Sequence, residues 1–284
     1  MVNISVAIRS AAERLSIAGV PEPRREASLL LRYAIGKDTA FIIAHPEYEL
    51  SSEESAKFET AVRRREQREP FQLILGSQEF YGLDFQVQAG VLIPRPETEI
   101  LVERAIEILR RADRPTTFLE IGVGTGCISV SILDSVKTAT ATAVEISEQA
   151  LALAARNSHR LGVSERLELL RSDLFQAVPD RTFDVIVSNP PYVPLPERPK
   201  LQREVVDFDP PIALFAGEDG LDAIRRIAAE APRYLVRGGY LLVEIGHGQS
   251  ESVKELFETD EWQDVEFLND LQGIERTAAV RRAF

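Results

Sequence analysis

The chain has 284 residues, 44% of them hydrophobic, with a net charge of −12 and one cysteine. That length suggests about two domains, and no apolar stretch reaches the ~18 residues of a membrane-spanning helix. The acidic balance argues against a protein that holds duplex nucleic acid by its own phosphate contacts, and the lone cysteine excludes an internal disulfide and fits a reducing cytoplasm.

Met1 to Arg9 lacks the basic-then-apolar order of a secretory signal. Residues 1–70 are expected to form a helical bundle. Val6, Ile8, Ala12, Leu15 and Ile17 make one amphipathic stretch, stopped by Gly19 and Pro21. Glu26 to Ile35 makes a second, stopped by Gly36, and Phe41-Ile42-Ile43 marks a short third. Ser51-Ser52-Glu53-Glu54 offers a capping box to a fourth helix, running to Arg68 before Pro70. On that helix Arg63-Arg64-Arg65 and Arg68 read as a solvated face partnered by Glu66 and Glu69, or else as a local basic patch. Such a bundle suits partner recognition or a structural cap.

Residues 71–96 read as a β-hairpin linker. Glu79-Phe80-Tyr81 and Leu83-Asp84-Phe85-Gln86-Val87 flank Gly82, and Gln88-Ala89-Gly90 separates them from Val91-Leu92-Ile93. Pro94-Arg95-Pro96-Glu97-Thr98-Glu99 then opens a helix through Arg111. Prolines are ordinary at a helix start, but Arg95, Glu97 and Thr98 would also suit a polar wall over a pocket.

From residue 97 to residue 284 strands and helices alternate, which predicts an α/β fold with a doubly wound, mostly parallel sheet. Thr117 to Ile121, Thr138 to Val144, Leu167 to Leu170, Phe183 to Ser188 and Gly238 to Ile245 are the expected strands. Residues 263–268 and 276–282 look like a closing antiparallel pair, so the sheet is expected to be mixed.

Gly122-Val123-Gly124-Thr125-Gly126 directly follows the first of these strands and opens a helix from Cys127. Glycines there allow a tight turn and close approach of backbone to a ligand. Glu145 closes the second strand about 20 residues further on, where an acid can accept hydrogen bonds from both ribose hydroxyls. Alone, this pattern would fit NAD or FAD nearly as well. However, the spacing is G-x-G-x-G, and a second acid, Glu120, sits at the end of the first strand. Acids are poor neighbours for a pyrophosphate but suit S-adenosylmethionine, which carries a sulfonium and an ammonium. Asp173, after the third strand, could accept from an adenine amino group with Leu174 on the ring, or could cap a helix.

Asn189-Pro190-Pro191-Tyr192 follows the apolar run Phe183 to Ser188, at the carboxyl end of a strand where open α/β sheets place ligands. An amide, two stiff imino acids and an aromatic ring can hold a planar, uncharged NH2 group. The Asn189 oxygen accepts one N–H, the Pro190 carbonyl accepts the other, and Tyr192 offers a face for stacking. Loop and tetrapeptide together favour a methyl donor beside an amine or amide acceptor. His45, His159 and His247 have no metal-ligand spacing, so no metal is expected. Cys127 reads as a small packing residue.

These features extend along nearly the whole chain, with Glu69-Pro70 to Leu75-Gly76, Phe80-Tyr81-Gly82-Leu83, Leu92 to Glu99, Asp219-Gly220-Leu221 and Glu244-Ile245-Gly246 besides the two motifs. In them the chain resembles the PrmC/HemK family of protein-glutamine N5-methyltransferases. The resemblance implies a Rossmann-like methyltransferase domain, S-adenosylmethionine as methyl donor, and as substrate the glutamine of the Gly-Gly-Gln motif of peptide chain release factors. Where the family often has Asp, this chain has Glu120 and Glu145. The tetrapeptide alone also resembles adenine-N6 methyltransferases acting on DNA or RNA. A dinucleotide-dependent oxidoreductase would leave the tetrapeptide unexplained, and a non-catalytic adaptor would not need it.

Overall fold

A computed structural model describes residues 2–284 of the chain. Two compact units emerge: one runs to Ser77 and takes in Gln202–Phe208, and the other comprises Gln78–Leu201 and Asp209–Phe284.

The first unit is helical. Helices α1 (Ile4–Ile17), α2 (Pro23–Ile35), α3 (Thr39–Ala44), α4 (Ser52–Glu66) and α5 (Phe71–Leu75) follow in order. Asn3 caps α1 by accepting from the Val6 N–H. The expected capping box opens α4: Glu54 N–H donates to Ser51, and Ser51 N–H donates back to Glu54. The buried face of α1 is Ile4, Ala7, Ala11 and Leu15. This corrects the expected stripe, because Val6 is 40% exposed and Ile17 89%. Leu15 of the expected stripe lies in the buried row, and Ile8 and Ala12 pack beside it, partly buried. The core they join includes Leu30, Leu31 and Val62.

Arg63 is solvated and pairs with Glu59, and Arg64 has its expected partner Glu69, but Arg65 and Arg68 are neither a solvated face nor a basic patch. Arg65 is 4% exposed and donates to Glu26 and to Glu204. Arg68 also donates to Glu204, and Arg64 to Glu69. Glu204 arrives on a segment distant in sequence, which a reading of neighbours along the helix could not include.

The second unit begins with a two-stranded hairpin, β1 (Ser77–Phe80, its first residue in the helical unit) and β2 (Leu83–Gln86). Val91-Leu92-Ile93 forms no strand. Then come α6 (Glu99–Arg110), β3 (Thr116–Ile121), α7 (Cys127–Ser135), β4 (Ala139–Glu145), α8 (Glu148–Arg160), β5 (Leu167–Arg171) and β6 (Phe183–Ser188). After the helical unit's α9 (Arg203–Phe208) the chain returns with α10 (Pro211–Leu214), α11 (Asp222–Glu230), β7 (Leu235–Glu244), α12 (Ser250–Leu256), β8 (Trp262–Asn269) and β9 (Glu275–Arg282).

The sheet order is β5-β4-β3-β6-β7-β9-β8. Strands β5 to β7 in that order are mutually parallel, while β9 runs antiparallel to both β7 and β8. The sheet is therefore mixed and mostly parallel, as the element pattern predicts. Alternate residues feed two cores. Phe118, Val185, Val187 and Leu242 pack with α6 and α7, and Leu119, Ile186, Leu241 and Val243 pack with α11 and α12. Burial on both faces is why these strands read as unbroken apolar runs. From β3 the chain winds outward through β4 and β5, then returns to place β6 on the other side of β3. That reversal opens a crevice at the carboxyl ends of β3 and β6.

Candidate active site

A cavity of about 370 Å³ occupies the crevice. Its wall includes the turn after β3 (Gly122, Val123, Gly124), the strand-end acids Glu120 and Glu145, and Asp173 with Leu174. Asn189, Pro190 and Pro191 close it from β6, and Arg95 and Thr98 from the segment before α6.

The glycine turn is held by backbone and by acid. Gly122, Gly124 and Gly126 all have positive φ, a region that L side chains rarely adopt. Gly122 N–H donates to the Val144 carbonyl at 2.9 Å, and Gly124 N–H to Glu145 at 3.1 Å. The second Glu145 oxygen accepts from the N–H groups of Ile146 and Ser147, at the start of α8. This carboxylate thus ties two ligand-facing turns together.

Glu120 is 1% exposed. Its Oε2 accepts from the Ser129 N–H at 2.9 Å and from the Ser129 hydroxyl, while Oε1 is buried with no partner. Burial pushes its pKa up to about 8, against the Ser129 hydrogen bonds and with a small push from Glu145. Asp173 does not cap a helix; it accepts from Arg226 at 3.0 Å. Leu174 beside it holds φ at 48°, uncommon for a non-glycine residue.

Behind Asn189 lies a buried polar chain. Thr98, 2% exposed, donates from its hydroxyl to Glu244 at 2.6 Å. Asn189 Nδ2 donates to that same hydroxyl oxygen at 3.0 Å. Glu244 also accepts from the Tyr192 hydroxyl at 3.2 Å. Burial pushes Glu244 up to about 7, and burial beside this carboxylate raises the Tyr192 phenol strongly. The tetrapeptide is buttressed from its far side, where Gln249 Nε2 donates to the Tyr192 carbonyl at 3.0 Å. A Cβ on Gly220 would collide with that carbonyl.

Two family models match the chain: the PrmC N-terminal domain over residues 7–76 and the methyltransferase small domain over residues 98–198. Release factor glutamine methyltransferase of Koribacter versatilis is 42% identical, covering 99% of each chain. The chain belongs to the release factor glutamine methyltransferase family. The enzyme of that name from Geobacter sulfurreducens is 44% identical over 94% of this chain and 92% of its own. The fold is shared more widely: a methyltransferase from Pyrococcus furiosus is similar at 22% identity with a TM-score of 0.51, over 71% of this chain and 89% of that one.

Membership makes the chain an S-adenosylmethionine-dependent protein-(glutamine-N5) methyltransferase, and adenine-N6 methylation is not favoured. The cavity fits the methyl donor on its own chemistry. The unpartnered Glu120 oxygen calls for a cation or donor, and the surrounding acids would repel a pyrophosphate. Among the described residues, no group of three or more His, Cys, Asp and Glu is arranged to hold a metal.

In this methyltransferase Thr125, Gly126, Glu97 and Tyr192 do not line the cavity. The Thr125 carbonyl accepts from Asn157, itself fully buried and bonded to Gln86 of β2. Gly126 caps α7 from behind, with the Ala154 side chain 3.3 Å from where its Cβ would stand. These two residues shape the turn. The residue missed by sequence reasoning is Glu244. It carries the same signal as Glu120 and Glu145, an acid at or near the carboxyl end of a parallel strand, and that signal could have found it. Asp209, 5% exposed and paired with Arg95 at 2.6 Å, was missed as well.

Proposed function

We propose that Asn189, Pro190, Pro191 and Tyr192 hold the side-chain amide of the glutamine in the Gly-Gly-Gln motif of peptide chain release factors for methylation at N5. The observation that carries this is the orientation of Asn189. Its Nδ2 is committed to Thr98, so its oxygen is left for a substrate N–H. The Pro190 carbonyl takes the second N–H, and half-buried Tyr192, outside the cavity wall, anchors the tetrapeptide through its hydroxyl bond to Glu244. An amide nitrogen is a weak nucleophile because its lone pair is delocalised into the carbonyl. Two acceptors on its two hydrogens orient the nitrogen, and such positioning is worth up to roughly 7–11 kcal/mol. No strong base is required, since a methylated, still protonated amide is acidic enough to lose its proton to water.

S-adenosylmethionine supplies the electrophilic methyl group when bound. Glu120 would face its ammonium, Glu145 its ribose hydroxyls, and the free Asp173 oxygen its adenine amino group, with Leu174 against the ring. Gly122, Val123 and Gly124 bring backbone close, and Arg95 and Thr98 form the wall, with Glu97 behind them. The helical unit would dock the folded release factor in the cytoplasm.

Asn189→Ala tests the reading. Turnover of a short Gly-Gly-Gln peptide should fall about 10²-fold, the usual consequence of a ~1 Å misplacement, with donor affinity nearly unchanged. A fully active Ala variant would rule the site out. Asn189→Asp should be as inactive as Ala, because a carboxylate would face the Thr98 oxygen acceptor to acceptor.

A further inference from the structure

We propose that Glu244 is a positioning residue for methyl transfer: through Thr98 it fixes which way the Asn189 amide faces. The inference rests on the role just given to Asn189.

A hydroxyl has one proton. Thr98 gives its proton to Glu244, so toward Asn189 it can only accept, and the amide must present its NH2 group. The Asn189 oxygen is thereby turned to the cavity, where the substrate needs an acceptor. With no acceptor at position 244, the Thr98 hydroxyl becomes free to donate to the Asn189 oxygen. The amide then turns over and its NH2 group meets the substrate's N–H groups, donor against donor. Leaving such groups unsatisfied in a buried site is costly. The other Glu244 oxygen holds the Tyr192 hydroxyl, so one carboxylate sets both ends of the tetrapeptide.

Glu244 does not line the cavity, so its effect reaches the substrate only through Thr98 and Tyr192. The charged and titratable groups around it are Glu97 before α6, which disfavours its ionised form, Arg276 on β9, which favours it, and Tyr192, whose hydroxyl bond favours it too. Cys127 on α7 also feels its charge. Burial nevertheless pushes its pKa up to about 7, and even the protonated carboxyl keeps one oxygen that can accept from Thr98.

Glu244→Leu, which removes the acceptor, and Thr98→Val test the relay in the full-length enzyme with a short Gly-Gly-Gln peptide. Each should lower kcat by about 10²-fold while calorimetry finds donor affinity within about twofold. The double variant should be no worse than either single one, because both cut one chain of bonds. Glu244→Gln, whose amide oxygen can still accept from Thr98, should keep most of the turnover that Glu244→Leu loses. If Glu244→Leu does not fold, Thr98→Val alone decides. Full turnover in folded Glu244→Leu or Thr98→Val while Asn189→Ala is inactive overturns the relay and leaves the site standing. Full turnover in all three removes the site itself. Equal losses of turnover, donor affinity and melting temperature would make Glu244 structural only and also overturn the proposal.

Discussion

Glu120 should make binding of the methyl donor depend on pH. The carboxyl is buried, titrates at about 8, and keeps one oxygen unpartnered on the cavity wall. Facing an ammonium it must be ionised. At pH 7, one unit below that pKa, ionising it costs about 1.4 kcal/mol. Binding should therefore release close to one proton, and affinity should rise about tenfold per pH unit between about pH 6 and 7.5, below the range where an α-amino group titrates. Glu120→Gln should flatten this slope. A hydrogen bond to a charged group is worth about 1.5–3 kcal/mol, so after the ionisation cost the variant should bind only roughly 0–1.5 kcal/mol more weakly at pH 7. The gap should widen at higher pH. Calorimetry with S-adenosylhomocysteine, in two buffers of different ionisation enthalpy, measures both affinity and protons. In the apoprotein the sign is the reverse. A folded carboxyl raised from 4.5 to about 8 destabilises the fold as pH climbs through that window, so the melting temperature of Glu120→Gln should gain on wild type from pH 5 to 8. Affinity that is flat with pH and identical in Glu120→Gln would refute the assignment.

Glu145→Ala should weaken donor binding by about 1.5–3 kcal/mol, and unchanged affinity by calorimetry would remove it from the ribose site. Arg65→Ala leaves Glu26 without its ion-pair partner and Glu204 with Arg68 alone, so urea denaturation should report a loss of about 1–3 kcal/mol; no measurable loss would mean the pairs are solvated. Ile17 and Ile43 are 89% and 74% exposed on the helical unit. Replacing both with Glu should slow methylation of a folded release factor but not of a short Gly-Gly-Gln peptide, and equal rates on both would count against docking by that face.

Much of this was legible along the chain because the signals are local. A strand buried on both faces spells itself out, so Thr116–Ile121 and Phe183–Ser188 were found within a residue, and the glycine turn, Glu145 and Asn189 were found because they close such strands. What escaped depends on which strands become neighbours. Glu244 reaches Thr98 and Tyr192 only because β7 lies beside β6, with β6 folded back against β3. Arg65 looked solvated because Glu204 is 139 positions away. The helical unit was visible in outline, yet the inward row of α1 was only partly legible, since Leu15 is buried while Val6 and Ile17 are apolar and exposed.

The path of the chain through α9 has a consequence for engineering. The backbone passes between the two units at Ser77–Gln78, again at Leu201–Gln202 and once more at Phe208–Asp209. A protease that nicked only the first link would free residues 1–77 covalently but leave α9 behind, so that Arg65 and Arg68 would stay joined to Glu204 by ion pairs alone. Nor can the N-terminal piece be grafted onto another methyltransferase as a self-contained cassette. A chimera cut at residue 77 would carry Arg65 and Arg68 without Glu204, the acid to which both donate. Successful hybrids should have to exchange both segments together.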